Sequence, residues 1–142
     1  MVVALVALLG LFDSLYLSLS RLQSASLVCV GGSGCDVVQA SPWSTLPPGN
    51  GIPVAFIGVG GYLVLGVLGM VSLHRERVAG VALPLVLLVL SSLGLLFSAY
   101  LLYTQLFIIG DICFWCTLSA MFELIIWVAA LLDWRAWRRT RG

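Results

Sequence analysis

Apolar and polar positions alternate on a long scale along this chain. Four apolar stretches, at about residues 1–20, 52–73, 81–108 and 112–133, are separated by shorter polar ones. The hydrocarbon core of a bilayer is roughly 30 Å thick, and a helix needs about 20 apolar residues to cross it. Each stretch reaches that length. The second and third carry no charge, the first holds Asp13, and the fourth holds Glu123 and ends on Asp133. Only one connection, residues 21–51, is long. The pattern predicts an all-α integral membrane protein, a four-transmembrane-helix bundle with a long extracytoplasmic loop between helices 1 and 2. Residues 1–142 read as one membrane domain with a cytoplasmic tail at 134–142. The run Pro47-Pro48-Gly49-Asn50-Gly51 is a turn signal where the loop re-enters the membrane. A cleaved signal peptide is the weaker reading of the first stretch. It lacks a basic leading region, and Ser24-Ala25-Ser26 is a poor cleavage site.

Charge fixes the orientation. All seven basic residues are arginines, and six of them, Arg75, Arg77, Arg135, Arg138, Arg139 and Arg141, follow the second or the fourth stretch. Four spans put those two regions on one side, and positive residues stay cytoplasmic. Both termini are therefore expected in the cytoplasm of a cell whose inner membrane holds the protein. Trp134 and Trp137 suit an aromatic belt on that side. Composition removes other classes: 61% of the 142 residues are hydrophobic and 9% charged. That is too little charge for a disordered or nucleic-acid-binding chain and too much apolar surface for a small soluble domain.

Four cysteines then carry the chemistry. Cys29 and Cys35 lie in the long loop, and Cys113 and Cys116 form Cys-Phe-Trp-Cys at the start of the fourth stretch. All four fall on the side where disulfides form and persist. Two structural disulfides would suit the first pair better than the second, because a C-x-x-C pair at a helix start is usually reactive. A zinc site needs closer first-pair spacing and a nearby histidine, whereas His74 is at the other end, so no metal is expected. A thiol–disulfide relay fits best. The glycine-rich stretch Val30-Gly31-Gly32-Ser33-Gly34 gives the first pair freedom to reach two partners. Asp111 is the expected N-cap of the fourth helix. Cys113 then falls at its second position, where the helix dipole favours a thiolate. Cys116 lies one turn deeper, near lipid-soluble oxidants.

These residues together resemble the vitamin K epoxide reductase family in its bacterial, stand-alone form. The resemblance covers about residues 10 to 130 and rests on Cys29…Cys35-Asp36-Val37-Val38, on Ser41, on Gly51-Ile52-Pro53-Val54-Ala55 with Gly58 and Tyr62, and on the final Cys113-x-x-Cys116. It implies a membrane thiol–disulfide oxidoreductase that passes electrons to a quinone of the ubiquinone or menaquinone class. It further implies that Cys29 is attacked by a partner thiolate, that Cys35 passes electrons inward to Cys113, and that Cys116 faces the quinone. The chain ends at Gly142 with no thioredoxin-like domain, so a separate extracytoplasmic thioredoxin-fold (DsbA-like) partner is expected. Vertebrate members hydrogen-bond the vitamin K ring through an asparagine and a tyrosine whose places here are Val54 and Ala120. That departure disfavours epoxide reduction and leaves an apolar quinone pocket, with Phe107 and Phe114 as further lining candidates. Ser41-Pro42-Trp43-Ser44 would cover the site.

Two carboxyls sit inside the apolar stretches, where ionisable groups are costly. Glu123 follows Cys116 by seven residues, nearly two turns and about 10 Å deeper on the same face. It reads either as a proton donor to the quinone or, more commonly, as a neutral carboxyl held by Ser14, Ser92 or Ser98. Asp13 is expected to meet serine or tyrosine hydroxyls. A rival from another class is a small four-helix transporter with structural disulfides and Glu123 as its coupling group; it leaves the C-x-x-C without a purpose.

Overall fold

A computed structural model describes residues 1–26, 28, 29, 32 and 34–141. The expected hinge residues Val30, Gly31 and Ser33 lie outside the described residues. Among the described residues, four helices are long and apolar enough to cross a membrane. They are α1 (Val2–Gln23), α3 (Val54–Ser72), α4 (Leu83–Tyr103) with its continuation Thr104–Ile109, and α5 (Phe114–Arg141). Helix is the form these stretches must take, because in lipid each backbone N–H and C=O has to be satisfied within the segment. Pro84 fits the first turn of α4, where a missing N–H costs nothing.

α1 packs against α3 and α5, and α4 packs against α5. The central core joins Val3 and Ala7 of α1, Tyr62 and Leu65 of α3, Leu87 of α4 and Ile126 and Ala130 of α5. The Tyr62 ring lies directly against Gly10 of α1, and its hydroxyl meets the Ser119 Oγ at 2.8 Å and donates to the Ser119 carbonyl at 2.7 Å. The outward faces stay apolar, as at Leu63, Val67, Leu93 and Leu96.

Four local features differ from the hydropathy reading. The long connection is structured: α2 (Gly34–Ala40) leads into a 3-10 turn (Pro42–Ser44) and a short antiparallel pair, β1 (Thr45–Leu46) with β2 (Ile52–Pro53), closed by the proline–glycine turn. A second pair, β3 (Arg77–Val78) with β4 (Val81–Ala82), turns through Ala79 and Gly80, both at positive φ as a tight hairpin requires. The end of the third span widens to a π turn over Thr104–Ile109 and stops at Gly110 in the left-handed region. The expected tail at 134–142 is helical to Arg141. Arginines in the last turn suit the negative end of the helix dipole, and Trp134 and Trp137 stack with ring centres 5.3 Å apart. Arg77 and Arg141 lie over the Trp137 ring at 5.6 and 5.4 Å.

The seventh arginine, Arg21, lies at the opposite end from the other six. Its guanidinium donates to the Gln39 carbonyl and, at 3.0 Å, to Ser44 Oγ. It thereby ties the end of α1 to α2 and the 3-10 turn. Arg21→Ala removes both bonds, each contributing on the order of 1.5 kcal/mol. Limited proteolysis between residues 34 and 52 is expected to run roughly tenfold faster in this variant, with the transmembrane helices unaffected.

Candidate active site

The two cysteine pairs meet at one end of the bundle. Cys29 and Cys35 are joined by a disulfide, and Cys113 and Cys116 are free thiols. Cys35 and Cys113 are both fully buried in one cluster with Leu17 and Val38, against which Cys29 and Cys116 also pack. Gly34 makes the meeting possible. A Cβ there would lie 2.4 Å from the Ile112 carbonyl oxygen, so α2 rests directly on the backbone that leads into α5. The segment carrying Cys29 is pinned from two sides. The Val28 N–H donates to Tyr16 Oη at 3.2 Å, and the Val28 carbonyl accepts from Trp115 Nε1 at 2.7 Å. The Tyr16 and Trp115 rings are 5.1 Å apart.

Asp111 does not cap the fourth helix. That helix begins at Phe114, and Asp111 is exposed, two residues short of the capping position. Cys113 itself is the cap. Its carbonyl accepts the first helical bond, from the Thr117 N–H at 3.0 Å. Its sulfur accepts from the Cys116 N–H at 3.2 Å, the bond a serine or aspartate oxygen makes at an N-cap. Its own N–H donates to Gln105 Oε1 at 3.0 Å. The hydrogen bond from the Cys116 side chain holds the Cys113 thiol below the ordinary range, against the upward push of burial.

Below the thiols lies a cavity of about 530 Å³ among the four spans, roofed by Trp43 and Ser44. Cys116 opens on it. Val54 and Ala120 line it, as does Glu123 two turns down from Cys116. Phe107 and Phe114 do not. The π turn directs Thr104 and Gln105 inward and leaves Phe107 75% exposed against Tyr103. Phe114 turns edge-on to Trp115. Phe97 is the aromatic of α4 on the cavity wall.

The carboxyls are buried without the expected support. Glu123 is 5% exposed and its Oε1 has no hydrogen-bond partner. Ser92, one of its expected partners, instead donates to the Leu88 carbonyl and accepts from Trp127 Nε1. Both Asp13 oxygens are buried without a well-formed bond; the polar group beside them is the Ser119 hydroxyl, already engaged by Tyr62. Among the described residues no three His, Cys, Asp or Glu side chains gather as a metal site would require.

The sequence pointed to Gly34 only as part of the glycine-rich stretch and to Trp115 only as one more aromatic near the cysteines, and it gave Gln105 and Tyr16 no role. Gln105 had a signal, as the one amide in the third stretch. Trp115 sits inside the C-x-x-C. Gly34 and Tyr16 carry nothing that spacing alone exposes.

Fold and site define a helical, multi-pass membrane protein built around two apposed cysteine pairs. The family model described as "Vitamin K epoxide reductase family" matches residues 1–131, and the chain belongs to that family. It is accordingly a membrane oxidoreductase.

Two outcomes are expected. In a variant with Cys29 and Cys35 replaced by serine, the ultraviolet thiolate titration of Cys113 has its midpoint below the ordinary thiol range. Adding Cys116→Ala moves it upward, because the donor that stabilises the thiolate is lost. In a Cys29→Ala/Cys116→Ala background, mild oxidation joins Cys35 to Cys113, read as a gel-mobility shift. Gly34→Val, which forces α2 off Ile112, lowers that yield about tenfold, the loss a misplacement near 1 Å can exceed.

Proposed function

We propose that the protein is a quinone-linked disulfide oxidase that supports disulfide-bond formation in a thioredoxin-fold (DsbA-like) partner. Its place is the inner membrane, with both termini cytoplasmic and the cysteine end outside. The arginine and tryptophan cluster at the opposite end supports that orientation. One observation carries the reading: a disulfide and a dithiol share one buried cluster, and the deeper thiol of the dithiol opens on an apolar cavity.

The sulfur steps balance as thiolate attacks on disulfides. A partner thiolate attacks Cys29 Sγ, and Cys35 leaves as a thiolate. The second partner thiol resolves the mixed disulfide, so the partner departs oxidised and Cys29 and Cys35 are reduced. Cys35 then attacks Cys113 Sγ of a Cys113–Cys116 disulfide, and Cys116 leaves. Cys29 resolves the Cys35–Cys113 bond, which restores the first disulfide and leaves Cys113 and Cys116 as thiols. The lowered pKa of Cys113 makes it a good leaving group in that last exchange.

The cavity suits a quinone ring: its volume falls in the range of small-molecule sites, and apolar Val54 and Ala120 line it together with Cys116. A quinone bound there supplies a two-electron, two-proton acceptor. Cys113 and Cys116 each give up a proton as the S–S bond forms between them. Epoxide reduction ranks below this reading, because neither Val54 nor Ala120 offers a hydrogen bond to such a ring.

Thiol trapping with quinone assays tests the proposal. Cys116→Ala should accumulate a Cys35–Cys113 disulfide, and Cys35→Ala a mixed disulfide between Cys29 and a thioredoxin-fold protein. The reduced wild type should be reoxidised only when a ubiquinone or menaquinone is present. Two independent, inert disulfides, or reoxidation indifferent to quinone, would overturn it.

A further inference from the structure

Inside the bundle, two carboxyls are buried where a neutral apolar lining would suffice to hold a ring. Glu123 is the sharper case. It lies on the cavity wall, its Oε1 is unpartnered, and it is among the buried residues of the fold. An unpaired polar atom in such a place is destabilising, so a role toward something that enters the cavity is a physical explanation for it. The surroundings are shaped for this side chain. A Cβ at Gly94 of α4 would fall 2.3 Å from Glu123 Oε1, so the carboxyl occupies space that any other residue at 94 would fill.

Cys116 and Glu123 line one cavity, seven residues apart on one helix. At ~1.5 Å per residue that is about 10 Å. The span is close to that of a quinone ring with a contact of ~3 Å at each end. One ring oxygen would then face the thiols and the other Glu123.

Resting on the quinone reading above, we propose that Glu123 is the proton donor to the ring oxygen farther from the cysteines, and that Asp13, Ser119 and Tyr62 return a thiol proton to it. The balance closes. Two S–H bonds break at Cys113 and Cys116, one S–S bond forms, and two electrons pass to the quinone. One proton goes to the near oxygen. Glu123 gives its own to the far oxygen and regains one from the second thiol. The return path consists of groups already in place. Asp13 stands beside Ser119, Ser119 Oγ meets Tyr62 Oη at 2.8 Å, and Tyr62 lies within electrostatic reach of both carboxyls. Among the described residues, Cys113 and Cys116 are the thiols that face Asp13. α4 contributes Gly94, Phe97 and Ser98 to the wall and no acid or base.

Glu123→Gln keeps the shape and removes the proton. With excess dithiol as reductant and a short-chain ubiquinone as acceptor, kcat should fall about a hundredfold, within the range for loss of a general acid, with the KM for the quinone little changed. Exchange between Cys29–Cys35 and a model dithiol, measured without quinone, should stay intact. Asp13→Asn should slow steady-state turnover and spare the first turnover of pre-reduced protein, for which Glu123 already carries its proton. A readout independent of turnover is the infrared C=O band of a protonated carboxyl in Cys116→Ala protein. It should shift when the ubiquinone is added and be missing in the Cys116→Ala/Glu123→Gln protein. If the wild type shows no quinone-dependent reoxidation, the parent reading fails. If the wild type is active while Glu123→Gln matches it, or changes KM alone, or if the band ignores the quinone, the proton-donor assignment falls. If Asp13→Asn slows both turnovers alike, the return path falls.

Discussion

Backbone N–H and C=O groups have no water to turn to inside a hydrocarbon layer, and this constraint arranges everything else in the molecule. It makes each spanning segment a helix and drives every irregular piece of backbone to the two ends. α2, the 3-10 turn, β1 with β2 and the π turn all collect at the cysteine end. Sulfur exchange needs backbone that can approach backbone closely, and only the ends of such a bundle supply it. Gly34 resting on the Ile112 carbonyl is that approach in its smallest form. The cysteine cluster therefore sits where irregular chain is allowed, while the cavity below it is walled mainly by the spanning helices, with Thr104 and Gln105 of the π turn at its upper edge.

The two ends are built by different physics. At one, arginines and stacked tryptophans make an exposed set of cation–aromatic contacts together with the Arg141–Glu76 ion pair at 2.8 Å. Such contacts are weak singly and serve to place the helix ends at an interface. At the other, Arg21 is spent on internal bonds that fasten the cover to α1. Between them lie Asp13, Tyr62, Ser119 and Glu123, a polar interior inside an apolar bundle.

Much of the fold was legible because hydropathy over a 20-residue window is a strong signal. The four spans and the clustering of both cysteine pairs at one end follow from it. Features set by one or two residues were not legible. Asp111 looks like a cap by its residue type, yet the helix starts three residues later and a sulfur takes the place of the expected oxygen. Phe107 looks like pocket lining by position, but a π turn shifts the facing of every residue after Tyr103. Val54 and Ala120, placed by the family resemblance, do line the cavity. The burial of Glu123 was foreseeable from its apolar neighbours; the absence of a partner for its Oε1 was not, since that depends on how Ser92 is engaged by α5.

The sulfur that caps α5 has a mechanical consequence. A helix is ordinarily begun by an oxygen whose bonding never changes. Here the acceptor for the Cys116 N–H is a thiol sulfur, an atom of a type that can also exchange into a disulfide. Trp115 lies in that turn and holds the Val28 carbonyl beside Cys29. One reactive atom therefore begins the helix whose first turn holds the first cysteine pair in place.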